Sequence, residues 1–177
     1  RGLGDVYKRQ NLTAITGLTR LAPQGNVSIY SARLNHASLI DGVRLASAQS
    51  KASVTLFDHT QPELLLKELQ KDSKALKLIV TDAVFSMDGD LAPVKKLLSI
   101  AEQCDALLIL DDAHGFGVLG QQGHGILEQA QICSDRIIYI GTLGKAAGVS
   151  GAFICAENNF IEWLIQKGRP YIYSTAT

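Results

Sequence analysis

Three aliphatic runs in this 177-residue chain end in side chains that can do covalent or acid–base chemistry. The run over 78–81 leads through Asp82 to Ser86-Met87-Asp88-Gly89-Asp90, and Leu107–Leu110 leads to Asp111-Asp112-Ala113-His114. The run over 136–140 leads to Gly141-Thr142-Leu143-Gly144-Lys145. Lys145 stands among glycine and alanine residues, with a hydroxyl three positions before it and no acidic residue in its own stretch. An imine-forming lysine needs these things: close approach by a carbonyl compound, a desolvated amine of low pKa and a hydroxyl for a phosphate. Asp111 and Asp112 close the most apolar run of the chain, so at least one belongs near an active edge; read singly, either is a turn or helix-capping residue. His114 shifts that balance, because a carboxylate and an imidazole on one loop can orient a single ligand from two sides.

Other patterns have plainer readings. Gly115-Phe116-Gly117-Val118-Leu119-Gly120 is a literal G-x-G-x-x-G after a strand-like run. A dinucleotide site, however, needs the first glycine to close the strand and the run to open a helix, and Gln121-Gln122-Gly123-His124-Gly125 is a poor helix start. Gly144-Lys145 lacks the P-loop's earlier glycine, Tyr139 standing in its place, and the following hydroxyl, where Ala146 stands. Metal ligation by Asp111, His114 and His124 is open, although their spacing matches no helical or hairpin ligand pair. His36 reads as a histidine at a helix start, Ser86 as a turn serine, and His59, His124, Asp88 and Asp90 as solvated loop residues.

The elements that must position these groups alternate. Strand-like runs at Val27–Tyr30, Ser53–Phe57, Leu78–Thr81, Leu107–Leu110, Arg136–Ile140 and Ala152–Cys155 are interleaved with helical patterns at Ala37–Gln49, Pro62–Gln70, Pro93–Gln103 and Asn159–Gln166. Strands separated by helices imply right-handed crossovers and a largely parallel sheet covered on both faces, so the fold class is α/β. Successive aliphatic residues fit strands buried on both sides. Ligands of such sheets sit beyond the carboxyl ends of the strands, where the groups named above fall.

Composition narrows the partners. With 46% hydrophobic and 19% charged residues the chain can bury one core, as one domain or most of one. Its 17 basic and 17 acidic residues cancel, which removes the general attraction that nucleic-acid and anionic-membrane binders use. The apolar runs are far shorter than the roughly 20 residues of a membrane span. Cys104, Cys133 and Cys155 are odd in number and unpaired by spacing; they are expected to be small buried hydrophobes in a reducing, cytoplasmic protein. The first ten residues show no secretory pattern and no initiating Met, so a piece of a longer protein is expected.

Five segments then fall into a recognisable order: Asn35-His36-Ala37-Ser38-Leu39-Ile40-Asp41-Gly42; Val84-Phe85-Ser86-Met87-Asp88-Gly89-Asp90; Asp111-Asp112-Ala113-His114-Gly115-Phe116-Gly117-Val118-Leu119-Gly120; Thr142-Leu143-Gly144-Lys145; and Ile172-Tyr173-Ser174-Thr175. From residue 11 to 177 the chain resembles the α-oxoamine synthase family of pyridoxal 5′-phosphate (PLP) enzymes. The resemblance implies the large, cofactor-binding domain of a fold-type-I PLP-dependent transferase, a three-layer α/β/α unit. It implies that Lys145 carries PLP and that Asp111 pairs with the pyridine nitrogen. His36 would stack on the ring, Ser86 and His114 would bond near its phenolic oxygen, and Thr142 would bind the phosphate. Asp82 sits where the family carries an acid, while Ser174 and Thr175 would reach a phosphate in the partner subunit of a homodimer. The catalytic set is then Lys145, His36 and Asp111, with His36 also meeting the substrate and no metal. The nearest branch condenses L-alanine with a pimeloyl thioester, carried by CoA or an acyl-carrier protein, on the route to biotin; the alternative branch condenses glycine with acetyl-CoA. Residues 1–10 match nothing in the family and read as a foreign leader. The small C-terminal domain is also expected to be missing, so a chain inactive alone and poorly soluble is expected.

Overall fold

The central strands of the chain are buried on both faces. The structure is a computed structural model that describes residues 3–173, with side chains described from Arg9 onward. In chain order the elements are α1 (Leu3–Leu18), a 3-10 turn (Thr19–Leu21), β1 (Val27–Ala32), α2 (Ala37–Ser50), β2 (Ser53–Phe57), α3 (Pro62–Lys71), β3 (Leu76–Asp82) and α4 (Val94–Gln103). There follow β4 (Ala106–Asp111), α5 (Ile126–Ala130), β5 (Ile137–Thr142), β6 (Ala152–Cys155), α6 (Asn158–Lys167) and α7 (Arg169–Ile172). The sheet order is β2-β1-β3-β4-β5-β6, with β1 to β5 parallel and β6 antiparallel to β5.

Strand alternation sorts the core into two layers. Ile79, Leu108, Leu110, Ile137 and Tyr139 face Leu65, Leu69, Leu97 and Ile126 of α3, α4 and α5. Leu78, Val80, Leu107, Ile109, Ile138 and Ile140 face Ala14, Ile15, Leu39, Val43 and Leu164 of α1, α2 and α6. The mostly parallel three-layer α/β/α arrangement is therefore present. The edge strand β2 departs from burial on both sides, exposing Ser53–Leu56 and burying only Phe57, because no strand pairs with its outer side.

Several local expectations are corrected. The strands ending at Thr81 and Leu110 continue by one residue each, since Asp82 and Asp111 pair in register as the last rung. Cys133 and Cys155 are exposed and Cys104 is half-buried, because the first lies in a loop and the second ends the strand at the sheet's other edge. His59 is buried, not solvated. Its ring lies on Phe85 with centroids 4.2 Å apart, Nδ1 is 4.0 Å from Asp58 and Nε2 is 3.6 Å from Asp90. The Gly115–Gly120 run opens no helix. It folds back on itself, with the Gly117 amide donating to the Gly123 carbonyl at 2.8 Å, and the next helix begins only at Ile126. That removes the structural context of a dinucleotide site.

Candidate active site

The sheet order reverses at β1, since β2 lies on one side of it and β3 on the other, so a crevice opens beyond the carboxyl ends of β1 and β3. Asp82, Asp111 and Thr142 end three parallel strands, and by alternation all three point to the α1/α2 side of the sheet. Asp112, one residue on, points the other way. Its Oδ2 accepts from the Ile126 amide at 2.7 Å and the Tyr139 hydroxyl at 2.8 Å, so it caps α5 and pins the loop carrying His114. One step of strand alternation thus separates a site carboxylate from a structural one. Burial first of all raises Asp112 to about 6, against the hydrogen bonds it accepts.

Asp111 is buried at 1% exposure, and both of its oxygens are engaged. Oδ1 accepts from the Ala113 amide at 3.1 Å and Oδ2 from Asn11 Nδ2 at 2.7 Å. Asp82 lies beside it; burial, then the negative charge of Asp111, push its carboxyl up to about 8. Its Oδ2 accepts from the backbone amide of His36 at 2.6 Å, while its own amide donates to Asn35 Oδ1 at 2.9 Å. Asn35 also donates to Ser31 Oγ and the Val80 carbonyl, which ties the ends of β1 and β3 together beneath His36. His36 is the helix-start histidine that its sequence suggests: it is the N-cap of α2, with Nδ1 accepting from the Ser38 amide.

Lys145 lies in the loop after β5, with Nζ 2.8 Å from His114 Nε2. Partial burial lowers the amine's pKa despite the opposing negative charges of Asp111 and Asp82. Burial, then the charge of Lys145, hold His114 below its ordinary value, with Asp111 opposing and His36 adding to the lowering. These through-space effects gather Lys145, His114, Asp111, Asp82 and His36 into one cluster, although they span 110 residues of sequence. The Thr142 hydroxyl is buried and internally engaged, donating to the Gly151 carbonyl at 3.3 Å and accepting from the Gly144 amide at 3.2 Å. Ser86 is exposed on the turn after β3, a turn closed by the Phe85 amide on the Asp90 carbonyl at 2.9 Å. Ser174 and Thr175 lie outside the described residues. His124 stands at Glu128, Nδ1 to Oε2 3.9 Å. Among the described residues no three His, Cys, Asp or Glu side chains gather as a metal site.

Sequence reasoning missed Asn11 and the positioning work of Asn35, Ser38 and Tyr139. The signal for Asn35 and Ser38 lay in the His36 segment itself; Asn11 gave none, because its partner is 100 residues away.

The donor set fits a pyridoxal phosphate group. It offers an amine of depressed pKa, a buried oriented carboxylate able to face a cationic ring nitrogen, and two imidazoles at the open edge of the sheet. Comparison with known proteins agrees. Residues 10–177 match the model of the family "aminotransferase class I and II". The 8-amino-7-oxononanoate synthase of Cupriavidus taiwanensis is 54% identical over 159 residues, 90% of this chain and 38% of that protein. The chain thus spans about two-fifths of the length of the curated relatives it matches. Among solved structures, an 8-amino-7-oxononanoate synthase from Francisella tularensis is 35% identical with a TM-score of 0.73, over 94% of this chain and 47% of that one. An SPT solved with PLP is 31% identical with a TM-score of 0.82, over 97% of this chain and 41% of that one. No helix among the described residues is long and apolar enough to cross a membrane.

Proposed function

The chain belongs to the aminotransferase class I and II family, and from that premise we propose that it is the cofactor-binding part of a PLP-dependent acyltransferase. The reaction is the condensation of L-alanine with a pimeloyl thioester, on CoA or an acyl-carrier protein, to 8-amino-7-oxononanoate, releasing the thiol and CO2 on the way to biotin. The observation that carries the reading is the Lys145–His114 pair at 2.8 Å, set in the field of the buried Asp111 carboxylate. The names of the relatives support the substrate assignment. The three free thiols support a cytoplasmic home, and we take the working enzyme to be a homodimer in which Ser174 and Thr175 reach across to the partner subunit. In domain terms, residues 11–177 are part of the large domain.

Lys145, Asp111, His114, Ser86, Thr142, His36 and Asp82 would hold the cofactor. When bound, it supplies an electron sink for the carbanion at the amino-acid Cα. The chain's own groups do the rest. Asp111 places a fixed negative charge where a cationic ring nitrogen needs it, in a dry setting that magnifies its effect. Asp82, its carboxyl raised to about 8 by burial and by the negative charge beside it, favours the protonated form at neutral pH. The depressed amine of Lys145 takes the Cα proton of alanine and later returns it, with His114 as its hydrogen-bond partner. Between those transfers the Cα carbon attacks the thioester carbonyl, the C–S bond breaks to release a thiolate that takes its proton from solvent, and the alanine carboxylate leaves as CO2. His36 orients the acyl adduct.

The test is to add PLP to the purified protein, fix the attachment with borohydride and map the labelled peptide. Label confined to Lys145, together with a visible absorbance band, is the expected result; no label, or label spread over surface lysines, overturns the cofactor assignment. Product analysis then separates the substrates, alanine with a pimeloyl thioester against glycine with acetyl-CoA. Turnover of the second pair alone reassigns the branch.

A further inference from the structure

One group in the site has no role in the mechanism above, a fully buried amide on α1. Asn11 is at 0% exposure, and Nδ2 donates 2.7 Å to Asp111 Oδ2 and 2.8 Å to Ser38 Oγ. Its Oδ1 is buried with no hydrogen-bond partner among the described residues. A buried unpaired carbonyl carries a desolvation penalty, yet turning the amide over would set Oδ1 against the Asp111 carboxylate, acceptor against acceptor. Asp111 therefore fixes which way Asn11 points.

The direction of the next bonds follows. Ser38 Oγ accepts from Asn11 and lies 2.7 Å from His36 Nδ1. A hydroxyl has a single proton and two lone pairs, so accepting from Asn11 leaves that proton available for Nδ1, which the Ser38 backbone amide already makes an acceptor. The Ser38 backbone amide points at the same nitrogen from 3.2 Å. Two donors on Nδ1 make it the acceptor, so the proton of the neutral ring sits on Nε2. The approach of α1 that permits this depends on Gly42 within α2, where a Cβ would meet Ile15 Cδ1 at 2.9 Å and the Asn11 carbonyl at 3.5 Å.

We propose that Asn11 is a positioning residue: through Ser38 it couples the Asp111 carboxylate to the His36 ring and fixes that ring as its Nε2–H tautomer. The relay itself stands on hydrogen bonds alone; its service to catalysis rests on the PLP reading above.

The test separates the two. In protein labelled with 15N at histidine and kept free of cofactor, NMR should show neutral His36 as the Nε2–H form, and both Asn11→Ala and Ser38→Ala should admit the Nδ1–H form. Wild-type His36 protonated on Nδ1, or His36 signals unmoved by either variant, overturns the relay. A residue that merely held α1 in place would lower the melting temperature and leave the tautomer alone. Titration with PLP should then show Asn11→Ala weakening binding about tenfold, and Ser38→Ala, which spares the Asp111 bond, weakening it less. Wild-type affinity in Asn11→Ala overturns the positioning role; should that variant not fold, Ser38→Ala decides through the His36 tautomer. A wild-type protein with the Nε2–H form that takes up no PLP overturns the cofactor reading and leaves the relay standing.

Discussion

At the scale of single residues, the site works by giving neighbouring carboxyls opposite duties. Asp82 and Asp111 share the last rung of β3 and β4, and burial with the charge of Asp111 raises Asp82 to about 8. The native state then keeps a proton that the unfolded chain releases near its ordinary value of 3.8. Stability from that proton is complete below about pH 4 and is lost as pH rises toward 8, at up to about 1.4 kcal/mol per pH unit. Asp82→Asn removes the titration, so urea midpoints at pH 5 and pH 8 should differ less in the variant than in the parent. An unchanged pH slope would place the raised carboxyl elsewhere, with Asp112, raised to about 6, the alternative source. Asp111 has the opposite duty, since its charge is used. Asp111→Asn keeps the shape and the Ala113 contact but removes that charge, and in a steady-state assay of the full-length protein it should lower kcat by about a hundredfold or more.

At the scale of elements, the glycines of the loops act through close packing. A Cβ on Gly125 would land on the Asp112 carboxylate and the Tyr139 hydroxyl, at a φ of +85°. Gly125→Ala should therefore cost about 2–3 kcal/mol in urea denaturation by breaking the cap on α5. Gly117, at φ +81°, would carry its Cβ to 2.6 Å from the Ala146 Cβ, beside Lys145. Gly117→Ala should displace the lysine loop and weaken PLP uptake while costing less global stability, which parallel titration and melting would show. The same packing explains what could be read from the sequence. The strands ending at Asp82, Asp111 and Thr142 were legible to within one or two residues because parallel strands are continuous aliphatic runs. Helix α1 was not, since its buried side carries Asn11, Thr13 and Thr16, which erase the apolar period. His59 misled for a related reason: its burial comes from Phe85 on a different loop, a contact that no local pattern encodes.

At the scale of the whole molecule, the site is a meeting point of separate layers. Groups after β1, β3, β4 and β5 converge on it, and α1 enters from the helical layer through Asn11. A group that contacts several of these segments binds only when all are in place, so its binding free energy adds to the free energy of folding. At a PLP concentration a hundredfold above Kd the added stability is about 2.7 kcal/mol. For a chain of 177 residues that corresponds to about 5–10 °C in the unfolding midpoint. The converging segments also separate specific from casual binding. A lysine modified on the surface bridges nothing and leaves the midpoint almost unchanged. Lys145→Ala should abolish most of the PLP-dependent rise while leaving the midpoint without PLP close to that of the parent, because the lysine lies outside both core layers and its loop is held by backbone bonds such as the Leu143 amide to the Gly151 carbonyl at 2.9 Å. A melting series with and without PLP reads both effects, and a PLP-dependent rise that survives Lys145→Ala undiminished would move the binding determinant away from this lysine.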